Sequence, residues 1–185
     1  MSTSTIKAPR LKRRLVCMIY EAILVFAIFF VGTFAFYGIA QLFGVKFIAF
    51  GQTNHPGIVT PALQLWTVFI FGLYFVYCWR KSGQTLAQQT WRIRVVDLDG
   101  GQVPIIKAIV RYCLAWLWFT PAIILIYRFG LKSWSEVGML FAANIVLWAM
   151  TASLDKDGQF LHDKLAKTRL MHVELDPNVD HKYIQ

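Results

Sequence analysis

The chain has 185 residues, of which 57% are hydrophobic and only 16% are charged, whereas an ordinary soluble domain carries roughly 25% charged residues. With a mean hydropathy of +0.50 and a formal net charge of +9, it holds more apolar side chains than one small core can bury. This composition excludes a soluble globular domain, a disordered chain, a collagen-like sequence and a disulfide scaffold, and it leaves an integral membrane protein.

Four apolar runs are long enough for the roughly 20 helical residues that a bilayer crossing needs. A basic tail at 1–14 precedes them, and the runs cover about residues 15–43, 61–79, 107–127 and 137–154. The third run is short and contains Pro121, so we expect it to include the amphipathic stretch just before it and to kink at the proline. The sequence therefore predicts an all-α membrane fold, a four-transmembrane-helix bundle in a domain at 15–175, followed by a second tail at 176–185.

The distribution of Lys and Arg predicts the orientation of the bundle, because basic connections stay in the cytoplasm. The two tails and the connection between the second and third spans carry 16 of the 19 basic residues, and the opposite side carries Lys46, Arg128 and Lys132. We therefore expect both termini to be cytoplasmic. The net positive charge then needs no nucleic-acid partner, since the lipid bilayer supplies anionic headgroups at the cytoplasmic face.

Two segments in basic regions resemble each other and predict an internal repeat. Gly83-Gln84-Thr85-Leu86 matches Gly158-Gln159-Phe160-Leu161, and with a gap of three residues the stretch from Thr90 matches the stretch from Thr168. Each follows two spans, so the chain would consist of two parallel two-helix units, with 93–96 and 170–173 paired as a small cytoplasmic β-element and a turn at 99–101. A chance coincidence of two short basic stretches is the alternative.

Three ordered signatures resemble the RDD family, small bacterial multi-pass membrane proteins named for an arginine and two aspartates. The first is similar to Arg14 and, seven residues on, Glu21; the second to residues 83–97 with Gly100, Gly101 and Arg111-Tyr112; the third to residues 161–169. Where the family name requires its first aspartate, this chain has glutamate, which keeps the carboxylate but moves it outward by one methylene. The resemblance implies a bacterial cytoplasmic (inner) membrane location and a proposed role in transport, with cation/proton antiport claimed for some members.

Glu21 is the only acidic residue inside a predicted span, and an ionisable group in hydrocarbon needs a partner, a proton or water. Arg14 lies two helical turns earlier on the same face, so the two residues can bracket one cavity. We predict an ion or proton site at Glu21, Arg14 and Asp163, with supporting polar residues Tyr20, Gln64, Tyr77 and Asn144. Two alternatives stay open: Glu21 lies in the headgroup zone and only anchors the helix end, or Asp163 forms a structural ion pair rather than a gate.

No motif for a nucleophile, a phosphate loop, haem or zinc occurs, so we expect neither an enzyme nor a cofactor nor a bound metal. His162 beside Asp163 suggests an acid–base pair, but adjacent residues on a helix do not face each other, so we expect no catalysis there. The function that these features favour is transport of a small cation, by cation/proton exchange, or of another solute. A path through a narrow four-helix bundle would call for a homo-oligomer. The alternative is a non-transporting accessory protein that binds a protein partner or anionic lipid through its basic cytoplasmic face.

Overall fold

The computed structural model describes residues 9–49, 52–53, 56–155 and 159–173. Most of the basic tail at 1–14, the tail at 176–185 and Gly158 of the predicted repeat lie outside the described residues. Within these described residues, four segments are long and apolar enough to cross a membrane, as predicted. They are α1 (Leu11–Leu42), α2 (Pro56–Lys81), the third span Ile105–Phe129 and α6 (Trp134–Leu154). Short strands β1 (Phe47–Ala49) and β2 (Gln52–Thr53) pair antiparallel in the connection between α1 and α2.

The third span is broken near its middle, as Pro121 predicts. It consists of α4 (Ile105–Ala115), a 3-10 turn (Trp116–Trp118) and α5 (Thr120–Phe129), with the proline in the first turn of α5. Proline cannot donate the backbone hydrogen bond of a continuous helix, and its ring crowds the preceding turn. The Thr120 hydroxyl donates to the Trp116 carbonyl at 2.7 Å, so that carbonyl stays bonded at the break.

One end of the bundle carries a small packed layer, which we call the basic end: α3 (Leu86–Thr90), β3 (Ile93–Asp97), α7 (Leu161–Leu165) and β4 (Thr168–His172). The two strands pair antiparallel, with Ile93 opposite His172 and Asp97 opposite Thr168, which confirms the predicted β-element. The predicted turn follows β3, where Gly100 has a φ of 79° and its N–H donates to the Asp97 carbonyl. The strands and the ends of the spans share a core of buried residues: Cys17, Trp79, Ala87, Ile93, Val95, Val103, Ala108, Trp118, Phe160 and Leu170.

The two units of the repeat have similar local geometry. In each unit a glutamine before the short helix donates to a strand carbonyl, Gln84 to Ile93 in β3 and Gln159 to Leu170 in β4, although Leu170 lies two positions further along its strand. Immediately before β3 and β4, Arg92 and Lys167 have positive φ values of 53° and 54°, conformations that non-glycine residues adopt rarely. This common helix–turn–strand path favours a repeat over a chance coincidence.

The predicted gap of three residues in the repeat was wrong. Arg92 matches Lys167 and Ile93 matches Thr168 at the same spacing that relates Gln84 to Gln159, so no gap is needed. The strand register is symmetric about the pair Val95 and Leu170, as two copies related by a local two-fold axis require. The predicted alignment placed Thr90 opposite Thr168 because both are threonines, whereas the spacing of the turns places Ile93 opposite Thr168.

Candidate functional site

A cavity of about 700 Å³ lies between α1, α2, the third span and α6, and it reaches the basic end. Most of its wall is aromatic or aliphatic, contributed by side chains such as Phe26, Phe29, Phe71, Phe75, Trp116, Phe119 and Phe141. Charged groups also line it: Glu21 and Arg14 of α1 and Arg111 of α4. The cavity thus combines a large apolar volume with a few polar groups, as small-molecule sites do.

Glu21 is bound by two hydroxyl groups from different elements. The Tyr74 hydroxyl of α2 donates to Oε1 at 3.0 Å, and the Thr85 hydroxyl donates to Oε2. Thr85 is fully buried and caps the N-terminus of α3, where it exchanges hydrogen bonds with Gln88 in a capping box. The Glu21 carboxylate therefore lies where the membrane helices meet the basic end, with one partner on a span and one on the connecting segment.

Arg14 is buried, with 5% of its surface exposed, and it lines the same cavity as Glu21. Its Nε donates to the Pro9 carbonyl at 2.8 Å, and its guanidinium lies 5.1 Å from the centre of the Phe160 ring. Its Nη1 has no hydrogen-bond partner among the described residues. Arg14 and Glu21 thus share one cavity, and in the described part of the chain no ion pair joins them.

Asp163 is fully buried in α7 and pairs with Arg111, not with Arg14. Arg111 Nη1 donates to Asp163 Oδ1 and to the Thr168 hydroxyl, the latter at 3.0 Å. Burial alone would raise the pKa of Asp163, but the opposite charge of Arg111 and the contact with His162 outweigh it and lower the pKa from 3.8 to about 2. The carboxylate is therefore ionised at neutral pH and joins α7 to the third span.

Our geometric reason for setting His162 and Asp163 apart was wrong. His162 Nε2 lies 3.1 Å from Asp163 Oδ1, and the Trp118 indole N–H donates to His162 Nδ1 at 3.2 Å. The face rule applies to long regular helices, whereas these residues open a helix of only five residues. Because Nδ1 accepts a hydrogen bond from Trp118, the ring proton lies on Nε2, and the Nε2–H group donates a hydrogen bond to Asp163 Oδ1.

The four supporting polar residues do not line the cavity. Tyr20 is exposed, with its ring 5.5 Å from that of Trp91, and Tyr77 is exposed and accepts a hydrogen bond from Lys81. Asn144 donates to the Trp118 carbonyl at the break in the third span, which gives it a structural partner. Gln64 is exposed on α2.

Sequence reasoning missed three residues of the site: Arg111, Tyr74 and Thr85. Arg111 stands at the entrance of the third span as Arg14 stands at the entrance of the first, so the repeat carried a signal for it. Its guanidinium lies 4.9 Å from the Trp79 ring, as that of Arg14 lies over Phe160. Thr85 lies in the second family signature, but no sequence pattern links Thr85 or Tyr74 to Glu21, because only the packing of α1 against α2 and α3 brings them there.

The described residues contain no group of three or more His, Cys, Asp and Glu side chains that could hold a metal ion. Comparison with known proteins gives one result: the RDD family model matches residues 8–167. No curated protein and no solved structure matches the chain. The family match and the four apolar helices together indicate a multi-pass membrane protein.

Proposed function

Because the chain belongs to the RDD family, we propose that it binds a solute in the cavity and moves it across the membrane, with Glu21 as the proton-exchanging group. The observation that carries this proposal is one carboxylate in the wall of a large apolar cavity, held by the Tyr74 and Thr85 hydroxyls. Removal from water favours the neutral acid, whereas two hydroxyl donors favour the carboxylate. A group under both influences can exist in either state, which proton exchange requires.

The composition of the wall favours an organic solute over a bare inorganic cation. A cation that leaves water needs several oxygen ligands to replace its hydration shell. Apart from Glu21, the oxygen-bearing lining residues are Thr67, Gln88 and Tyr112, whose side chains are bonded to other protein groups. The cavity therefore supports the wider form of our prediction, transport of another solute, better than cation/proton exchange.

The proposal includes the predicted setting of the bundle. The bacterial cytoplasmic membrane holds the protein, the basic end faces the cytoplasm with both termini, and anionic headgroups contact its basic residues. The chemistry is binding and release of solute and proton, without a catalytic step.

Proteoliposomes loaded with a pH-sensitive dye test the proposal. Na⁺, K⁺ and octanesulfonate, an organic anion that stays ionised, would be added in turn to wild type, Glu21→Gln and Glu136→Gln. Glu136 is exposed in the first turn of α6, so its variant is the matched control. We expect solute-dependent proton movement in wild type and Glu136→Gln but not in Glu21→Gln.

A second measurement needs no solute. Infrared difference spectra should show a carboxyl group that changes its protonation state when the pH is varied, and Glu21→Gln should remove that signal. Solute-driven flux that persists in Glu21→Gln, or a Glu21 carboxyl that does not titrate, would contradict the proposal. An unchanged flux together with a copurifying protein would favour the accessory role instead.

A further inference from the structure

We propose that the solute of this cavity is an acidic amphiphile, with its carboxylate or phosphate head at Arg14 and Arg111 and its apolar tail along the aromatic wall. This inference deepens the proposed function and rests on it. It names the class of solute from three features: two buried arginines, the lateral exposure of the wall, and the balance of charge.

The two arginines retain donors that the protein does not use. Both line the cavity, and each is more than nine-tenths buried. Nη1 of Arg14 and Nε of Arg111 have no hydrogen-bond partner among the described residues, although buried polar groups are nearly always bonded. Guanidinium groups match the geometry of carboxylates and phosphates, so an anionic head is the chemistry that would satisfy them.

Each oxygen of the Glu21 carboxylate already accepts a hydrogen bond, from Tyr74 or Thr85, so the protein itself partly compensates its negative charge without a cation. A cation would also meet the guanidinium of Arg14, which no carboxylate pairs directly in the described part of the chain. The two unpartnered guanidinium N–H groups, Arg14 Nη1 and Arg111 Nε, therefore favour an acceptor over a cation at this end of the cavity.

The apolar part of the cavity is accessible from the side of the bundle. Phe26 of α1, Phe119 before α5 and Ile123 of α5 line it and are also 67%, 43% and 50% exposed. In a membrane, side chains exposed on a span contact lipid tails. A molecule with one long apolar chain can thus enter from the bilayer while its head reaches the arginines at the basic end.

The charges couple the anion to a proton. Arg14 and Arg111 carry two positive charges, and Asp163 and ionised Glu21 carry two negative ones. Asp155, whose charge also acts on Arg14, pairs with Lys164, so these six groups sum to zero without solute. Protonation of Glu21 leaves one positive charge, which an anion neutralises. The other titratable groups near Glu21 are Tyr74 and Cys78 of α2 and Cys17 of α1, and α3 contributes none. One proton would therefore bind with each anion.

Quenching of tryptophan fluorescence tests the inference in detergent-solubilised full-length protein, because Trp79, Trp116 and Trp118 line the cavity. The probes are dibromostearate and its uncharged methyl ester, which share a tail and differ in the head. A second pair, dibrominated phosphatidylglycerol and dibrominated phosphatidylcholine, asks whether the anion is a fatty acid or a membrane phospholipid. Partitioning into the micelle is common to both members of a pair, so the difference between them isolates recognition of the head.

We expect the acid to quench at lower concentration than its neutral counterpart, and Arg14→Gln to remove that preference with a loss of roughly tenfold or more in apparent affinity. Arg94→Gln, which removes an exposed arginine of the basic end, should keep it. Glu21→Gln, an imitation of the protonated acid, should strengthen binding of the anion. Ala115→Leu puts a larger apolar side chain into the cavity while both arginines are retained, and it should weaken acid and ester alike.

Equal quenching by the anionic and the neutral-headed member in both pairs would overturn the inference. A preference for the anion that persists in Arg14→Gln and disappears in Arg94→Gln would also overturn it. These results are independent of transport. A preference for the anion without proton flux would support the binding site and contradict the proposed function. Proton flux without a preference for the anion would support the proposed function and contradict the binding site.

Discussion

Replacing Asp163 with asparagine should destabilise the protein strongly, because it leaves a buried arginine without its counter-ion. The side chains of Arg111 and Asp163 are 4% and 0% exposed, and the carboxylate also accepts a hydrogen bond from His162 Nε2. Removing one partner of such a pair costs about 3 to 5 kcal/mol. The lowered pKa of Asp163 agrees in direction, because it means that the surroundings of this carboxyl favour the ionised form.

Asp97→Asn is the matched control for this substitution. Asp97 and Lys107 form an ion pair at 2.5 Å whose side chains are 13% and 32% exposed, and asparagine can still accept the hydrogen bond from the Leu98 N–H. Accessible pairs of this kind contribute about 1 kcal/mol or less. Denaturant unfolding in detergent micelles, followed by tryptophan fluorescence, should therefore place Asp163→Asn well below wild type and Asp97→Asn close to it.

The pH dependence gives the same test a second readout. The folded-state pKa of Asp163 lies below its usual value, so its contribution is complete above pH 3.8 and is lost as the pH falls towards about 2. The difference in stability between wild type and Asp163→Asn should shrink over that interval. Equal losses in Asp163→Asn and Asp97→Asn, or a difference that persists at the acid limit, would refute the assignment of Asp163 as a buried ion-pair partner.

Two further substitutions test the basic end by the same unfolding assay. Gly83 has a φ of 73°, and a Cβ there would lie 2.8 Å from the Val95 carbonyl oxygen, so Gly83→Ala should lower the free energy of unfolding by about 1 to 2 kcal/mol. Gly101→Ala is the control, because a Cβ at Gly101 meets no atom within 4 Å, and it should lower the stability far less. Equal effects of the two substitutions would contradict the strain argument. Thr85→Val removes both the N-cap of α3 and a hydrogen-bond donor to Glu21, and it should lower the free energy of unfolding by about 1 to 2 kcal/mol. Thr85→Ser keeps the hydroxyl and should stay close to wild type in stability. A valine variant as stable as the serine variant would show that the hydroxyl stabilises neither the N-terminus of α3 nor Glu21.

The fold could be predicted from the sequence because each of its signals is local or periodic. Four apolar runs give four spans, Pro121 gives the break in the third, and side-chain alternation gives β3 and β4. α1 begins at Leu11, four residues before the predicted span, and α2 extends beyond its predicted span at both ends, from Pro56 to Lys81. Hydropathy finds the apolar run and not the last residue that keeps helical hydrogen bonds, so helix ends are predicted less well than helix centres.

The site could be predicted only in part, because its polar contacts join distant parts of the chain. Glu21 and Arg14 stand out as ionisable groups near a span, and both line the cavity. Tyr74 is an ordinary tyrosine in an apolar run, and its role depends on the rotation of α2 against α1. Four other polar residues drew attention by being polar in spans, yet their structural positions satisfy them elsewhere or leave them exposed.

The two units of the repeat share their backbone arrangement at the basic end but carry different side chains at equivalent positions. At equivalent positions the first unit has Thr85 and Gln88, and the second has Phe160 and Asp163. In the first unit the threonine hydroxyl binds a carboxylate on the span itself, which leaves Glu21 on the cavity wall. In the second the carboxylate is on α7 and is buried against Arg111, while the aromatic ring at the threonine position packs on Arg14. Each unit thus has one arginine at the start of its first span. The residues that differ between the two units leave Glu21 on the cavity wall and Asp163 paired with Arg111 at the basic end.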